Sequence, residues 1–141
     1  MNTKVLLADD SMVMRAIVAD ALHDIGVTDV VQTAGGDEAL ERFMQQDFDL
    51  VIVDWCMPGM NGLDVIRGIR ATGSDVPIIM VTATGTERDE VMEAVRTGAS
   101  DYLLKPFDLQ VLREKLKRLC PQARPDAVRF PLEQRLAASG A

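Results

Sequence analysis

The sequence Leu50-Val51-Ile52-Val53-Asp54 is a short apolar run that ends at a carboxylate. Such a run is typical of a strand in a parallel sheet that helices cover on both faces. Four other apolar runs occur along the chain, and segments of helical pattern separate them. This alternation predicts an α/β fold with a doubly wound parallel sheet and right-handed crossovers. The five predicted strands are residues 5–8, 30–33, 50–53, 78–81 and 102–104.

Apolar spacing and capping residues predict the helices between these strands. Gly26 is a suitable C-terminal cap for the first helix, Thr86 with Asp89 forms a capping box for the fourth, and Gly98 ends that helix. Asp108 can cap the last helix. Residues 37–46 and 62–71 have suitable lengths for the other two. The predicted inner stripes are Met14, Ile17, Val18, Ala21, Leu22 and Ile25 in the first helix, and Leu109, Leu112, Leu116 and Leu119 in the last.

Composition restricts the function. The length of 141 residues suits one domain, and 48% apolar residues can form a real core. The net charge of -7 argues against direct binding of nucleic acid. No run is long enough to span a membrane and no secretory signal is visible, so we expect a cytoplasmic protein. Cys56 and Cys120 lack metal-ligand spacing, and His23 has no companion, which excludes zinc sites and most hydrolase dyads.

The last part of the chain differs from the rest. Residues 120–141 contain three of the six prolines and show little periodicity. We therefore expect one domain over residues 1–119, followed by a tail or linker that could include a short helix.

Polar residues interrupt the chain where the predicted strands end. Asp9 and Asp10 follow the first strand, Asp54 the third, Thr82 the fourth and Lys105 the fifth. The carboxyl ends of parallel strands meet at one edge of the sheet, and ligands bind at that edge in open α/β folds. We therefore expect these five side chains to share a crevice.

The chemistry of this set favours phosphoryl transfer at a metal site. Three carboxylates in one crevice repel each other, and a divalent cation relieves the repulsion. An all-oxygen site favours Mg²⁺, or else Mn²⁺, over zinc. Lys105 and Thr82 can bind phosphoryl oxygens, and a carboxylate can itself be the nucleophile. Asp9 and Asp10 alone would more simply form a solvated acidic turn, but together with Asp54 and Lys105 they favour a site.

Four motifs in chain order resemble the receiver domains of response regulators, close to the CheY-like chemotaxis type. The resemblance covers about residues 4–119 and implies the flavodoxin-like strand order 2-1-3-4-5. The motifs are residues 5–11 (VLLADDS), 53–62 (VDWCMPGMNG), 81–83 (VTA) and 105–107 (KPF).

The resemblance implies a role for each matching residue. Asp54 would be the phosphoacceptor. Asp10, Asp54 and the backbone carbonyl of Cys56 would bind Mg²⁺ directly, with Asp9 acting largely through water. Lys105 would pair with the phosphoryl group, and Thr82 would close on it.

The resemblance also implies a switch and its partners. Tyr102 would be the switch aromatic, although without Thr82 nearby a static strand residue would be the simpler interpretation. The Lys105-Pro106 bond would be cis. A sensor histidine kinase or histidine phosphotransfer protein would supply phosphate, and a downstream protein would bind the face of the fourth helix, fifth strand and fifth helix. Cys56 and Thr84 depart from common family residues at positions that tune the phosphoryl lifetime.

Two other functions use similar residues or a similar fold. A phosphatase of the haloacid dehalogenase class would need a second Asp two residues after the nucleophile, where this chain has Cys56. A flavoprotein or pure binding module on the same fold is the other alternative, but residues 82–86, which resemble a flavin phosphate loop, follow the fourth strand, whereas flavodoxins place theirs after the first. Gly35-Gly36 lacks the wider glycine pattern of a dinucleotide site and predicts a plain turn. We expect a switch that assists only its own phosphorylation and dephosphorylation, and no enzyme with an external substrate.

Overall fold

The computed structural model describes residues 3–83, 88–105 and 108–119. A five-stranded sheet runs through the described chain, every strand pair is parallel, and the order is β2-β1-β3-β4-β5. The predicted sheet and its strand order are therefore confirmed. The strands are β1 Lys4–Ala8, β2 Asp29–Thr33, β3 Leu50–Asp54, β4 Ile78–Ala83 and β5 Asp101–Lys105.

Five helices connect or follow the strands and cover both faces of the sheet. Buried residues of α1 and α5 form one apolar cluster with one face, and those of α2, α3 and α4 form a second cluster with the other. Strand β1 shows the division, because Val5 and Leu7 belong to the first cluster and Leu6 and Ala8 to the second. The helices are α1 Met12–Asp24, α2 Gly36–Gln45, α3 Gly62–Ala71, α4 Arg88–Thr97 and α5 Leu109–Leu119.

Strands β3, β4 and β5 extend further than the apolar pattern predicts. Asp54 is the last residue of β3, Thr82 lies within β4, and Lys105 is the last residue of β5. Each takes part in the strand register, with Asp54 opposite Val81 and Thr82 opposite Leu104. Backbone pairing does not require an apolar side chain, so the ladder continues past the last apolar residue. The strands themselves, and not loops, therefore position these three side chains.

The helix ends agree with the capping residues. Gly26 and Gly98 have positive φ values of 92° and 130° and follow the ends of α1 and α4. Asp108 caps α5, because its Oδ1 accepts from the backbone N–H of Gln110 at 2.7 Å. The Thr86–Asp89 capping box depends on Thr86, which lies outside the described residues.

The apolar stripes are narrower than predicted. Val18 and Leu22 in α1, and Leu112 and Leu116 in α5, are buried. Ile17 is 38% exposed and Leu109 is 42% exposed, so their assignment to the inner stripe was wrong. A helix on an open sheet buries only the residues that face the strands, and side chains at the margin of the stripe stay in contact with water.

Several predictions fall on residues that the structure does not describe. These are the roles of Thr84 and Pro106 and the tail at residues 120–141. Within the described ranges, no helix is both long and apolar enough to cross a bilayer.

Candidate functional site

Three carboxylates meet at the carboxyl edge of the sheet. Asp9 and Asp10 follow β1, and Asp54 ends the neighbouring strand β3. One oxygen of each carboxylate lies within 4.8 Å of the others. Asp9 and Asp54 are buried, whereas Asp10 is exposed. Because the chain leaves β1 and β3 toward opposite faces of the sheet, a crevice opens between these strands, and the predicted acidic cluster lies there.

The turn between β1 and α1 fixes the position of Asp9. The backbone N–H of Ser11 donates to Asp9 Oδ1 at 2.8 Å, and Ser11 Oγ accepts from the N–H of Met14 at 3.1 Å as the cap of α1. Arg15 Nη1 donates to the carbonyl oxygen of Asp9 at 2.5 Å. No role at the site was predicted for Ser11 or Arg15. A serine directly before an apolar helical stripe was a signal for the first, but nothing in the sequence revealed the second.

Lys105 reaches the same crevice from β5. Its Nζ lies 3.3 Å from Asp9 Oδ2 and 3.4 Å from Asp54 Oδ2. The predicted proximity of Lys105 to Asp54 is present, and the contact with Asp9 is additional. One ammonium against three carboxylates leaves an excess of two negative charges if all are ionised. A divalent cation would balance that excess.

The electrostatic environment raises the pKa of Asp54 above its usual range. Burial of the carboxyl is the largest cause, and the negative charge of Asp9 adds to it. The charge and hydrogen bond of Lys105 act in the opposite direction, and Asp10 raises the pKa further. The positive charge of Lys105 therefore does not fully compensate for the cost of ionising Asp54, which leaves a deficit of positive charge around this carboxylate. The oxygen ligands and this deficit fit a hard divalent cation such as Mg²⁺.

Two close backbone approaches shape the loop between β3 and α3. A Cβ on Gly62 would lie 2.3 Å from the carbonyl oxygen of Asp54, and a Cβ on Gly36 would lie 2.0 Å from the carbonyl oxygen of Met60. The N–H of Gly62 also donates to the carbonyl of Trp55 at 2.8 Å. The prediction of a plain turn at Gly35-Gly36 was therefore wrong for Gly36. This residue begins α2 and packs against the backbone of Met60. Contacts of this kind are invisible in a single sequence.

The predicted switch residues lie beside the site. Thr82 is buried in β4 opposite Leu104, and Tyr102 lies opposite Met80. Thr82 and Tyr102 are therefore two positions apart along neighbouring strands. The Tyr102 side chain is 38% exposed. Cys56 is exposed and its thiol is free.

The family is shown by comparison with known proteins. The model for the response regulator receiver domain matches residues 5–117. The chain belongs to the response regulator receiver family. This receiver domain is 39% identical over 118 residues to the chemotaxis protein CheY of Pseudomonas aeruginosa, covering 82% of this chain and 94% of that protein. It is 42% identical over 117 residues to CheY1 of Helicobacter pylori strain J99, covering 81% and 94%.

Solved receiver structures agree with the fold. Vibrio cholerae chemotaxis protein CheY4 matches with a TM-score of 0.77 at 34% identity, covering 84% of this chain and 99% of that one. The Francisella response regulator 1452 receiver domain matches with a TM-score of 0.78 at 27% identity, covering 87% and 100%. The chain is therefore a CheY-like receiver domain of two-component signalling. Membership implies a kinase and a downstream target as partners, and receiver domains generally bind Mg²⁺.

Proposed function

We propose that this receiver domain accepts a phosphoryl group on Asp54 and then changes the surface that it presents to a target. The observation that carries the proposal is the meeting of Asp9, Asp10 and Asp54 with Lys105 at one edge of the sheet. Asp9, Asp10, Asp54 and the backbone carbonyl of Cys56 would hold Mg²⁺, or alternatively Mn²⁺. Bound there, the cation supplies charge neutralisation for the carboxylates and the phosphoryl oxygens.

The chain's own residues account for the transfer. An oxygen of Asp54 attacks the phosphorus of a phosphohistidine, so that the O–P bond forms as the N–P bond breaks and the imidazole nitrogen keeps the electron pair. Lys105 already contacts Asp54 Oδ2 and can bind the oxygen of the incoming phosphoryl group. The hydroxyl of Thr82 can donate to another oxygen. Positioning and charge neutralisation are the main requirements of phosphoryl transfer.

We further propose that the domain is a switch and does not turn over an external substrate. Cys56 stands where a haloacid dehalogenase phosphatase would have its second Asp, and its side chain is exposed. A bound flavin would give the purified protein visible absorbance. We expect no such absorbance, and its presence would favour a flavoprotein.

The finer assignments of partner and place belong to the same proposal. The donor is a sensor histidine kinase or a histidine phosphotransfer protein in the cytoplasm. The target binds the face of α4, β5 and α5. Residues 1–119 form the domain, and residues 120–141 are a tail or linker outside it. We propose no direct contact with nucleic acid or membrane.

The test is phosphorylation by acetyl phosphate with Mg²⁺, followed by intact mass spectrometry. We expect one hydroxylamine-sensitive phosphoryl group per chain. Asp54→Asn should remove it, whereas the control Asp20→Asn, at an exposed position of α1, should keep it. Equal phosphate uptake by the Asp54 variant would refute the assignment.

A further inference from the structure

Asp101, the first residue of β5, is the centre of a charge cluster at the edge of the sheet. Its side chain is only 12% exposed. Oδ1 accepts from the backbone N–H of Tyr102 at 2.8 Å, and Lys115 Nζ lies 3.0 Å from both carboxylate oxygens. Arg118 also donates to Oδ2. The carboxylate is therefore fixed by β5 and α5 together.

Lys115 uses the same ammonium group to contact the aromatic ring of Tyr102. Its Nζ lies 5.8 Å from the ring centroid, within the range of a cation–π interaction. The Lys115 side chain is 24% exposed and Asp101 holds its ammonium group, so the ammonium loses little freedom when it also contacts the ring. Asp101, Lys115 and Tyr102 thus form a chain of contacts in which the carboxylate places the cation and the cation contacts the ring.

The alternation of side chains along β5 shows that the contact between Lys115 and Tyr102 opposes inward rotation of the ring. Leu103 belongs to the apolar cluster under α5, so its neighbour Tyr102 points to the other face of the sheet, where Met80 lies. Lys115 extends from α5 and therefore reaches the ring around the free edge of β5, which is an outer strand. A ring that turned inward toward Thr82 would move away from this edge and lose the ammonium.

We infer that Lys115, placed by Asp101, is a positioning residue that holds Tyr102 in its exposed orientation and opposes switching. The inference rests on the proposed function, because it states which orientation the switch aromatic Tyr102 favours before phosphorylation. The two groups act in series, so removing either the cation or the carboxylate releases the ring.

The chain offers a direct test because it contains one tyrosine and one tryptophan. Uniform 3-fluorotyrosine labelling gives a fluorine NMR signal from Tyr102 alone, and its solvent isotope shift reports the exposure of the ring. Lys115→Met keeps an apolar side chain without the charge. We expect this variant to lower the isotope shift and to increase the inward population by about two- to fivefold, the range for a partly exposed cation–π contact. Asp101→Asn should act in the same direction.

Two control variants separate positioning from general disturbance. Lys115→Arg should retain the native signal, because a guanidinium also binds aromatic faces. Lys117→Met removes a charge from an exposed position of the same helix and should leave the ring unchanged. An unchanged or larger isotope shift in Lys115→Met, with native thermal unfolding, overturns the inference. A shift in Lys115→Met without one in Asp101→Asn overturns the role of Asp101.

Trp55 fluorescence distinguishes a failure of this inference from a failure of the proposed function. Trp55 directly follows Asp54, so it should respond to Mg²⁺ with beryllofluoride, a phosphoryl mimic. A silent Trp55 and no phosphorylation would refute the proposed function. The isotope shifts need no phosphoryl mimic, so they decide the inference in either case.

Discussion

At the scale of single residues, the two neighbouring acids of the site are not equivalent. Asp9 is buried and its oxygens are already engaged, one by the N–H of Ser11 and the other by Lys105. Asp10 is exposed and contributes an oxygen to the same cluster. The open carboxylate is therefore the better direct ligand, and the engaged one is better suited to bind through water.

We expect Asp10→Ala to weaken Mg²⁺ binding at least tenfold, because even outer-shell partners of metal ligands contribute about 10- to 100-fold. Asp9→Ala should have a similar or smaller effect. A titration followed by Trp55 fluorescence measures both, with Asp20→Ala as the matched control on α1. Native affinity in Asp10→Ala would exclude this cluster as the metal site.

We also expect the side chain of Cys56 to affect the lifetime of the phosphoryl group proposed on Asp54. Water must attack the phosphorus in line, and an amide near Asp54 can orient that water, whereas the exposed thiol of Cys56 does so poorly. We expect Cys56→Asn to shorten the lifetime, measured by loss of phosphorylated protein after removal of the donor. Cys56→Ala, which removes the thiol without adding an amide, is the control. If the Asn variant decays no faster than the native protein, Cys56 is neutral for this property.

The sequence predicts the reactive groups better than it predicts their supports. Asp54 and Lys105 can be predicted because each directly follows an apolar run. The carboxyl ends of parallel strands meet at one edge of the sheet, so the two side chains are expected to lie together. The contact between Lys105 and Asp9, and the bond from Arg15 to the Asp9 carbonyl, depend on side-chain paths between separate elements. No periodicity encodes those paths.

At the scale of elements, the start of α3 is pressed against the end of β3. The carbonyl of Asp54 occupies the space that a Cβ on Gly62 would need. We expect Gly62→Ala to lower the free energy of unfolding by about 1–3 kcal/mol, the usual cost of overpacking. It should also weaken Mg²⁺ binding, because the displaced backbone carries Asp54.

Gly68 provides the matched control within the same helix. A Cβ there would meet only the flexible end of the Leu40 side chain, and alanine is the better helix former by about 1 kcal/mol. Chemical denaturation of both variants should therefore show a loss for Gly62→Ala and little change or a gain for Gly68→Ala. Equal stabilities would mean that the close approach at Gly62 is easily relaxed.

Element boundaries show the limit of sequence patterns at this scale. The predicted span of α3, residues 62–71, equals the observed helix Gly62–Ala71, and the structure adds a cap at Asn61, whose Oδ1 accepts from the N–H of Asp64 at 2.9 Å. The ends of β3, β4 and β5 were placed too early, because the apolar pattern stops at the site while the hydrogen-bond ladder continues. Backbone pairing is a property of the neighbouring strand, which a local window of sequence does not contain.

At the scale of the whole molecule, we expect metal binding to be linked to folding. The site joins residues from β1 and β3, and these come together only in the folded chain. We expect Mg²⁺ to stabilise the protein by about 2.7 kcal/mol at a concentration one hundred times the dissociation constant. Thermal unfolding with and without Mg²⁺ measures this, and Asp10→Ala should lose most of the increase. An increase of the same size in that variant would indicate stabilisation by general ionic effects.

We expect the signal to leave the site across the sheet, from β3 through β4 to β5. Phosphorylation would add about -1.5 to -2 charges at Asp54. Thr82 is buried in the intervening strand and lies opposite Leu104, two residues from Tyr102. If the hydroxyl of Thr82 moves toward the phosphoryl group, the space behind β4 opens and the ring can turn inward. Such a change requires only two conformations of similar free energy, one of which phosphorylation stabilises more than the other.

Thr82→Ala should therefore uncouple phosphorylation of Asp54 from the change in orientation of Tyr102. We expect the variant to take up phosphate on Asp54 and to change Trp55 fluorescence, while the fluorine signal of Tyr102 no longer responds to beryllofluoride. Thr33→Ala is the control, because it removes a buried hydroxyl at the end of β2, on the opposite edge of the sheet. Among the described residues that hydroxyl has no hydrogen-bond partner, so its loss should leave both signals native. A full Tyr102 response in Thr82→Ala would mean that the signal reaches β5 without this hydroxyl.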